Sequence, residues 1–249
     1  MTDRHARFTA IAIIALAAAA IIGFGTWRVL RGGETSVDLD RELFPIIGAD
    51  LSAHNGTPDF DSLATVLDFV YLKASEGNRF RDKEFERNYT ETRRTGLPAG
   101  AYHFFRFDRD GRSQADNFID ILANYPCELP PAIDIEEYGN SAQVPTALII
   151  ERLQAMLALM RAAGYEPIVY TNKKGHSRFF RTVFPPDDMP GLWIGSFTNP
   201  PLARTDWLFW QHSHTARIPG VRGAVDLNTF NGNRSDWTGY LSTRTLPQP

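Results

Sequence analysis

The sequence predicts an α/β fold: an irregular β/α barrel of five β/α units followed by three strands. Three observations point to it. From about Phe44 onward, short apolar runs alternate with amphipathic stretches, the pattern of strands and helices arranged around a parallel sheet. After about residue 190 only nine and ten residues separate the apolar runs, fewer than the dozen or so that a helical crossover needs. The stretch that carries this pattern is roughly 200 residues long, near the lower limit for a closed barrel.

Taken in order, the strands are FPIIGADLS (44–52), FVYLKAS (69–75), AGAYHFF (99–105), PPAIDIE (130–136) and EPIVYTN (166–172). Helical patterns fill 82–95, 112–125 and 145–163. In the last of these, Ile149, Ile150, Leu153, Met156, Leu157 and Met160 form one apolar stripe at helical spacing, and Gly164 stands where a helix stops. LWIGSF (192–197), WLFWQHS (207–213) and AVDLNTF (224–230) complete the set. Their short connections predict loops or hairpins with some antiparallel pairing.

Composition bounds the function. The 249 residues carry a net charge of −3, with 43% hydrophobic and 22% charged, as in a folded globular chain. There is no basic stripe for a nucleic acid, and one cysteine, Cys127, excludes a disulfide framework. Phe8 to Trp27 is twenty residues without a charge, flanked by Arg4 and Arg7 before and Arg28 and Arg31 after. As a helix it would span ~30 Å, the thickness of a bilayer core. The expectation is therefore a transmembrane or signal-anchor segment (1–33), a polar linker (34–43) and a barrel domain (44–249), with the domain exported and the anchor retained. A cleaved signal peptide and a secreted domain are the alternative, although its apolar core would usually be ~7–15 residues.

In β/α barrels the chemistry sits at the C-terminal ends of the strands. Asp50 lies there on the first strand, Asp134 and Glu136 on the fourth, and Asp226 on the last. Side chains at i and i+2 share a face, so Asp134 and Glu136 point together while Ile133 and Ile135 face the helices; Glu137 alternates away as a bystander. Two close carboxyls push one pKa up and leave one neutral acid beside one anion, the equipment for cleaving a glycosidic bond. Carboxylates also suit Mg²⁺, but no phosphate-binding glycine-rich loop accompanies them, so no metal and no cofactor is expected.

Around the same strand ends stand Tyr102, Phe104, Tyr170, Trp193, Trp207, Phe209 and Trp210. With Gln211, Asn172 and Asn228 they suit an amphipathic ligand such as a sugar. The substrate-binding candidates are Lys73, Tyr102, Tyr170, Trp193, Trp210, Gln211 and Asn228, and Lys73 is placed to pair with Glu76 or with the acids. His54, His103, His212 and His214 lack the spacing of a zinc site and read as polar wall residues. No Gly-x-Ser-x-Gly elbow exists, and Cys127 has no evident base, which argues against a serine or cysteine nucleophile.

These motifs, in order GADLSAHNGTPDF (48–60), FVYLKASEG (69–77), TGLPAGAYHFF (95–105), PPAIDIE (130–136), PIVYTN (167–172), LWIGSF (192–197), LFWQHS (208–213) and GAVDLNTF (223–230), resemble the family-25 glycoside hydrolases, the Chalaropsis-type lysozymes. The resemblance implies N-acetylmuramidase activity on peptidoglycan glycan strands, with Glu136 as proton donor and Asp50, Asp134 and Asp226 on the family's other acidic positions. His212 departs from it, where a tyrosine often follows Trp-Gln, and is expected to alter a subsite wall. Two rival readings are a wall-binding module without catalysis and a chitinase-like hydrolase. The four acids argue against the first. Against the second stands the absence of an Asp-x-x-Asp-x-Asp-x-Glu strand before Glu136.

Overall fold

Along the chain, the apolar runs become strands wherever a neighbouring strand covers their backbone. A computed structural model describes residues 36–180, 184, 188–197 and 207–243. The chain divides into two units, Met1–Thr35 and Ser36–Pro249, and all described residues belong to the second. The segment 8–27, with the anchor expected there, lies outside the described residues. Among those described, no helix is long and apolar enough to cross a membrane.

The strands are β1 (Ile47–Leu51), β2 (Phe69–Glu76), β3 (Phe80–Arg81), β4 (Ala99–Phe104), β5 (Ala132–Asp134), β6 (Ile168–Asn172), β7 (Leu192–Gly195), β8 (Phe209–Ala216) and β9 (Val225–Phe230). They form one sheet in the order β1-β9-β8-β7-β6-β5-β4-β2-β3, and β1 also pairs with β2, so the sheet closes into a barrel with the β2–β3 hairpin outside the ring. Helices α1 (Phe60–Leu63), α2 (Phe85–Thr95), α3 (Gly111–Leu122), α4 (Thr146–Ala162) and α5 (Arg234–Ser242) accompany it. The alternating β/α part is parallel from β1 through β2, β4, β5 and β6 to β7.

The last strands differ in part from expectation. β9 is antiparallel to both β8 and β1, but β7 and β8 are parallel. β7 ends at Gly195 and β8 starts only at Phe209, so the connection runs over 196–208 and is long enough for a parallel return. Helix α5 was not foreseen. Its N-cap Asn233 accepts from the backbone N–H groups of Ser235 and Asp236, and Asp236 answers to the Asn233 N–H, a reciprocal capping box.

Two cores result. Outside the ring, Ile133, Ile135, Leu153, Met156 and Met160 belong to a large cluster between sheet and helices. Inside it, the base layer is aromatic: Phe69 packs 5.1 Å from Phe209 and 5.3 Å from Trp237 of α5, and Phe230 lies 5.1 Å from Trp237. Above it, Trp193 meets Tyr71 at 4.7 Å and Tyr170 at 5.0 Å. Glycines on the inner wall make room for these rings. A Cβ on Gly48 would fall 2.3 Å from the Phe69 ring, and one on Gly100 2.3 Å from Tyr71.

Within the segment expected to be a linker, Ser36 and Val37 lie along β8. Ser36 bridges antiparallel to Ser213, the Val37 N–H donates to the His212 carbonyl (2.9 Å), and His212 Nδ1 donates to the Val37 carbonyl (3.1 Å). Phe44 closes this strap, its ring tilted against Trp207 at 6.1 Å and edge-on to Trp210 at 5.7 Å on the outer face.

Candidate active site

With its base filled by aromatic rings, the barrel opens at the C-terminal ends of its parallel strands. There a cavity of about 390 Å³ opens, lined by all four expected acids, Asp50, Asp134, Glu136 and Asp226. Lys73, Tyr102, Phe104, Tyr170, Trp193 and Gln211 share the wall.

Strand register sets the acids against one another. Asp50 and Asp226 are direct cross-strand partners in the antiparallel β1–β9 pair. Gln211 Nε2 donates to Asp50 Oδ2 (2.9 Å) and, more weakly, to Asp226 Oδ2 (3.4 Å). Asn228 Nδ2 also donates to Asp50 Oδ2 (2.9 Å). These amides are themselves aimed, because Tyr170 Oη donates to Gln211 Oε1 (2.8 Å) and Trp193 Nε1 to Asn228 Oδ1 (2.9 Å).

Burial in this wall shifts every acid toward its neutral form, and neighbouring negative charge adds to the shift of Asp134, Glu136 and Asp226. Burial, then the charge of Asp50, raises Asp226 to about 8, and Asp226 acts as proton donor toward Asp50. Asp50 is also raised by burial, against the opposing pull of its donors Asn228 and Gln211. Burial, then the charges of Glu136 and Asp50, hold Asp134 well above the usual carboxylate range, and its Oδ1 is buried without a hydrogen-bond partner. Glu136 is raised to about 7 by burial and the charge of Asp50, with Lys73 pulling the other way. A carboxyl with that proton affinity suits a general acid at neutral pH.

Glu136 stands just past the end of β5, and its neighbours hold that turn from three sides. The Ile135 N–H donates to the Tyr170 carbonyl (2.9 Å), and the Phe105 N–H to the Asp134 carbonyl (2.8 Å). Asn140 Nδ2 donates to the carbonyls of Glu136 and Phe105 (2.9 Å each), and its Oδ1 accepts from the Phe107 N–H (2.8 Å). Glu137, expected as a bystander, instead accepts from Lys174 (2.5 Å) and Arg178 (2.7 Å). It does point away from the cavity, and it ties the turn to the segment after β6.

Several expected residues fall elsewhere. Trp210 is wholly buried on the outer face, donating from Nε1 to the Ser196 carbonyl (2.7 Å), because strand alternation turns it away from inward-facing Gln211. Asn228 is buried beneath the wall and reaches the cavity only through Asp50. Trp207 belongs to the outer cluster, Phe209 to the base, and Asn172 caps the turn after β6 by accepting from the Gly175 N–H (2.9 Å). His212 faces Val37 rather than a subsite wall, and burial lowers it to about 4, so it is neutral. His103 sits between the sheet and α3, hydrogen-bonded to Ser75 (2.8 Å) and Gln114 (3.3 Å), and is likewise lowered to about 4 by burial. Of the four histidines named, only His54 lines the cavity. Burial lifts the Cys127 thiol to about 12, far from a nucleophile's range.

The cavity also uses Ser52, Asn55, Tyr138 and Ala224, which sequence reasoning missed. Period two would have found two of them: Ser52 follows Asp50 at i+2, and Tyr138 continues the series from Asp134 and Glu136.

Comparisons with known proteins agree with this geometry. The family model described as "Glycosyl hydrolases family 25" matches residues 49–221. The chain is 29% identical over 232 residues to Lysozyme M1 of Streptomyces globisporus, covering 86% of this chain and 78% of that one. A family 25 glycosyl hydrolase from Bacillus anthracis superposes with a TM-score of 0.73 at 30% identity, over 83% of this chain and 97% of that one. A muramidase from Acremonium alcalophilum does so with a TM-score of 0.66 at 26% identity, over 80% and 99%. The acid-lined mouth and the aligned chain together place this protein among the family-25 glycosyl hydrolases.

Proposed function

We propose that this glycoside hydrolase is a retaining N-acetylmuramidase that cuts peptidoglycan strands between N-acetylmuramic acid and N-acetylglucosamine. The observation that carries the reading is the set of four carboxyls at one mouth, with Glu136 poised at about 7. Glu136 donates its proton to the departing glycosidic oxygen. Asp134 then supplies the electrostatic partner.

Asp134 and Glu136 act from the same wall of the cavity, and in this reading the anomeric configuration is retained. Retention needs a nucleophile. The 2-acetamido oxygen of the cleaved sugar fills that role, attacking its own anomeric carbon as the bond to the leaving oxygen breaks. The buried, partnerless Oδ1 of Asp134 supports this route, since it offers an acceptor to the acetamido N–H. A donor there favours the ionised form of Asp134, which stabilises the positive charge growing on the ring. Glu136, now a carboxylate, takes a proton from the water that opens the cyclic intermediate. Gln211 and Asn228 keep Asp50 in place, while Lys73, Tyr102, Tyr170 and Trp193 contact the sugar.

Such an enzyme works outside the cytoplasmic membrane, so the barrel is exported, with residues 8–27 holding it to the membrane or removed with a cleaved leader. Clearing of a peptidoglycan suspension beside colloidal chitin tests the assignment. Clearing of peptidoglycan alone is expected. Activity on chitin alone, or wall binding without hydrolysis, would overturn it, and efficient cleavage of de-acetylated wall would remove the acetamido route.

A further inference from the structure

The four acids share their cavity with one cation whose position is itself constrained. Lys73 lies on β2, where the pairing with β4 is irregular: Lys73 opposes Tyr102, but the next matched pairs are Ser75 with His103 and Glu76 with Phe104. Residues three apart on a regular strand point to opposite faces. The extra residue of this bulge restores the shared face, so Lys73 and Glu76 meet at the mouth. Lys73 Nζ donates to Glu76 Oε2 at 2.8 Å. The other oxygen, Oε1, is held by Arg106 Nη1 at 3.5 Å, and the same nitrogen donates to the Gly139 carbonyl at 2.6 Å, in the turn that carries Glu136. The ammonium lies 5.1 Å from the centre of the Phe104 ring and 5.6 Å from that of Phe80. Among the described residues its ion pair is with Glu76, and it makes none with Asp134 or Glu136.

We propose that Glu76 is a positioning residue that tethers Lys73 on the β2 side of the mouth. There the cation acts on Asp134 and Glu136 through space without closing an ion pair with either. This rests on the reading of Glu136 as proton donor and deepens it. A lysine free to swing onto the acid pair would strip the proton that the leaving oxygen needs. A mouth without any cation would hold its protons too tightly. The titratable groups facing Lys73 are Asp50 on β1, His54 just after it, Tyr102 on β4, Asp134 on β5, Glu136 and Tyr138 in the turn beyond, Tyr170 on β6 and Asp226 on β9, with Glu76 on its own strand, Arg106 after β4 and His103 of β4 behind the wall but within reach of its charge. Lys73 favours the charged forms of both Asp134 and Glu136, in agreement with this placement.

The test is a double-mutant cycle read in pH profiles, with wild type, Glu76→Gln, Lys73→Met and the double variant on solubilised peptidoglycan strands. A cation brought closer to a coupled acid pair lowers the pair's apparent pKa values. Glu76→Gln should therefore move the alkaline limb of kcat to lower pH by about one unit, a tenfold fall in rate on that limb. Lys73→Met should move the limb upward. Adding Glu76→Gln to Lys73→Met should leave the limb where Lys73→Met put it. An unmoved limb in Glu76→Gln would overturn the proposal, and so would an equal shift with and without Lys73, which would mean that Glu76 acts by its own charge. The same cycle read by carbon-13 NMR of the carboxyl groups needs no turnover. A wild type without muramidase activity thus removes the muramidase reading, while the titration still decides the tether.

Discussion

Glu136 is useful as an acid only while it holds its proton. Raised to about 7, it predicts a kcat that falls tenfold per pH unit above roughly that value, measured as initial rates on soluble strands. Asp226 makes a separate prediction about stability. Its pKa rises from 3.8 to about 8 on folding, so the folded chain holds a proton that the unfolded chain has released. That contribution is fully present below pH ~4 and is lost as the pH climbs toward 8. Asp226→Asn, which removes the titration, should therefore raise the melting temperature by more at pH 8 than at pH 4.5; an equal shift at both would contradict the assignment. All four acids were legible in the sequence, because strand parity and the end-of-strand rule need only the residue order. Trp210 shows the limit of naming residues by type. An aromatic beside Gln211 looks like a sugar platform until parity is applied, and parity sends it outward. Tyr138, 83% exposed at the rim, continues the parity of Asp134 and Glu136 but lies two residues past the apolar run that marks the strand.

At the scale of elements, the turn from Glu136 to Asn140 is held by side chains rather than by a ladder. Asn140 satisfies three backbone groups from two loops. Asn140→Ala should lower kcat by about 10–10²-fold through misplacement of Glu136, with a smaller change in KM. Loss of activity by KM alone would assign Asn140 to substrate binding instead. The helices were legible where an apolar stripe spans several turns, as in 146–162 against the expected 145–163. Helix α5 was not, because RSDWTGYLS carries no stripe; it inserts Trp237 and Tyr240 into the barrel base. Its capping signal, Asn233 followed by Asp236, was the available clue. The parallel β7–β8 pair was misjudged because apolar runs overstate strand length, and each residue trimmed from a strand lengthens the connection.

Across the whole molecule, one end of the barrel is filled and the other is charged, and the two features depend on each other. The aromatic base fills the barrel beneath the acids, and their burial above it raises their proton affinities. Trp237 closes that base, contacting Phe69 and Phe230. Trp237→Ala should cost about 3–5 kcal/mol of stability, read in denaturant unfolding. The parallel part of the barrel was legible from alternation alone, whereas the strap was not: Ser36-Val37-Asp38-Leu39 does alternate polar with apolar, and Val37 and Leu39 pack on the outer cluster, but so short a run inside a polar stretch does not stand out as a strand. The central claim, that Glu136 drives hydrolysis of the bond after N-acetylmuramic acid, is tested most directly by mass spectrometry of borohydride-reduced digestion products from wild type and Glu136→Gln. The account predicts fragments ending in reduced N-acetylmuramic acid from the wild type, and at least ~10²-fold fewer from a folded Glu136→Gln. Fragments ending in reduced N-acetylglucosamine, or equal yields from the two proteins, would contradict it.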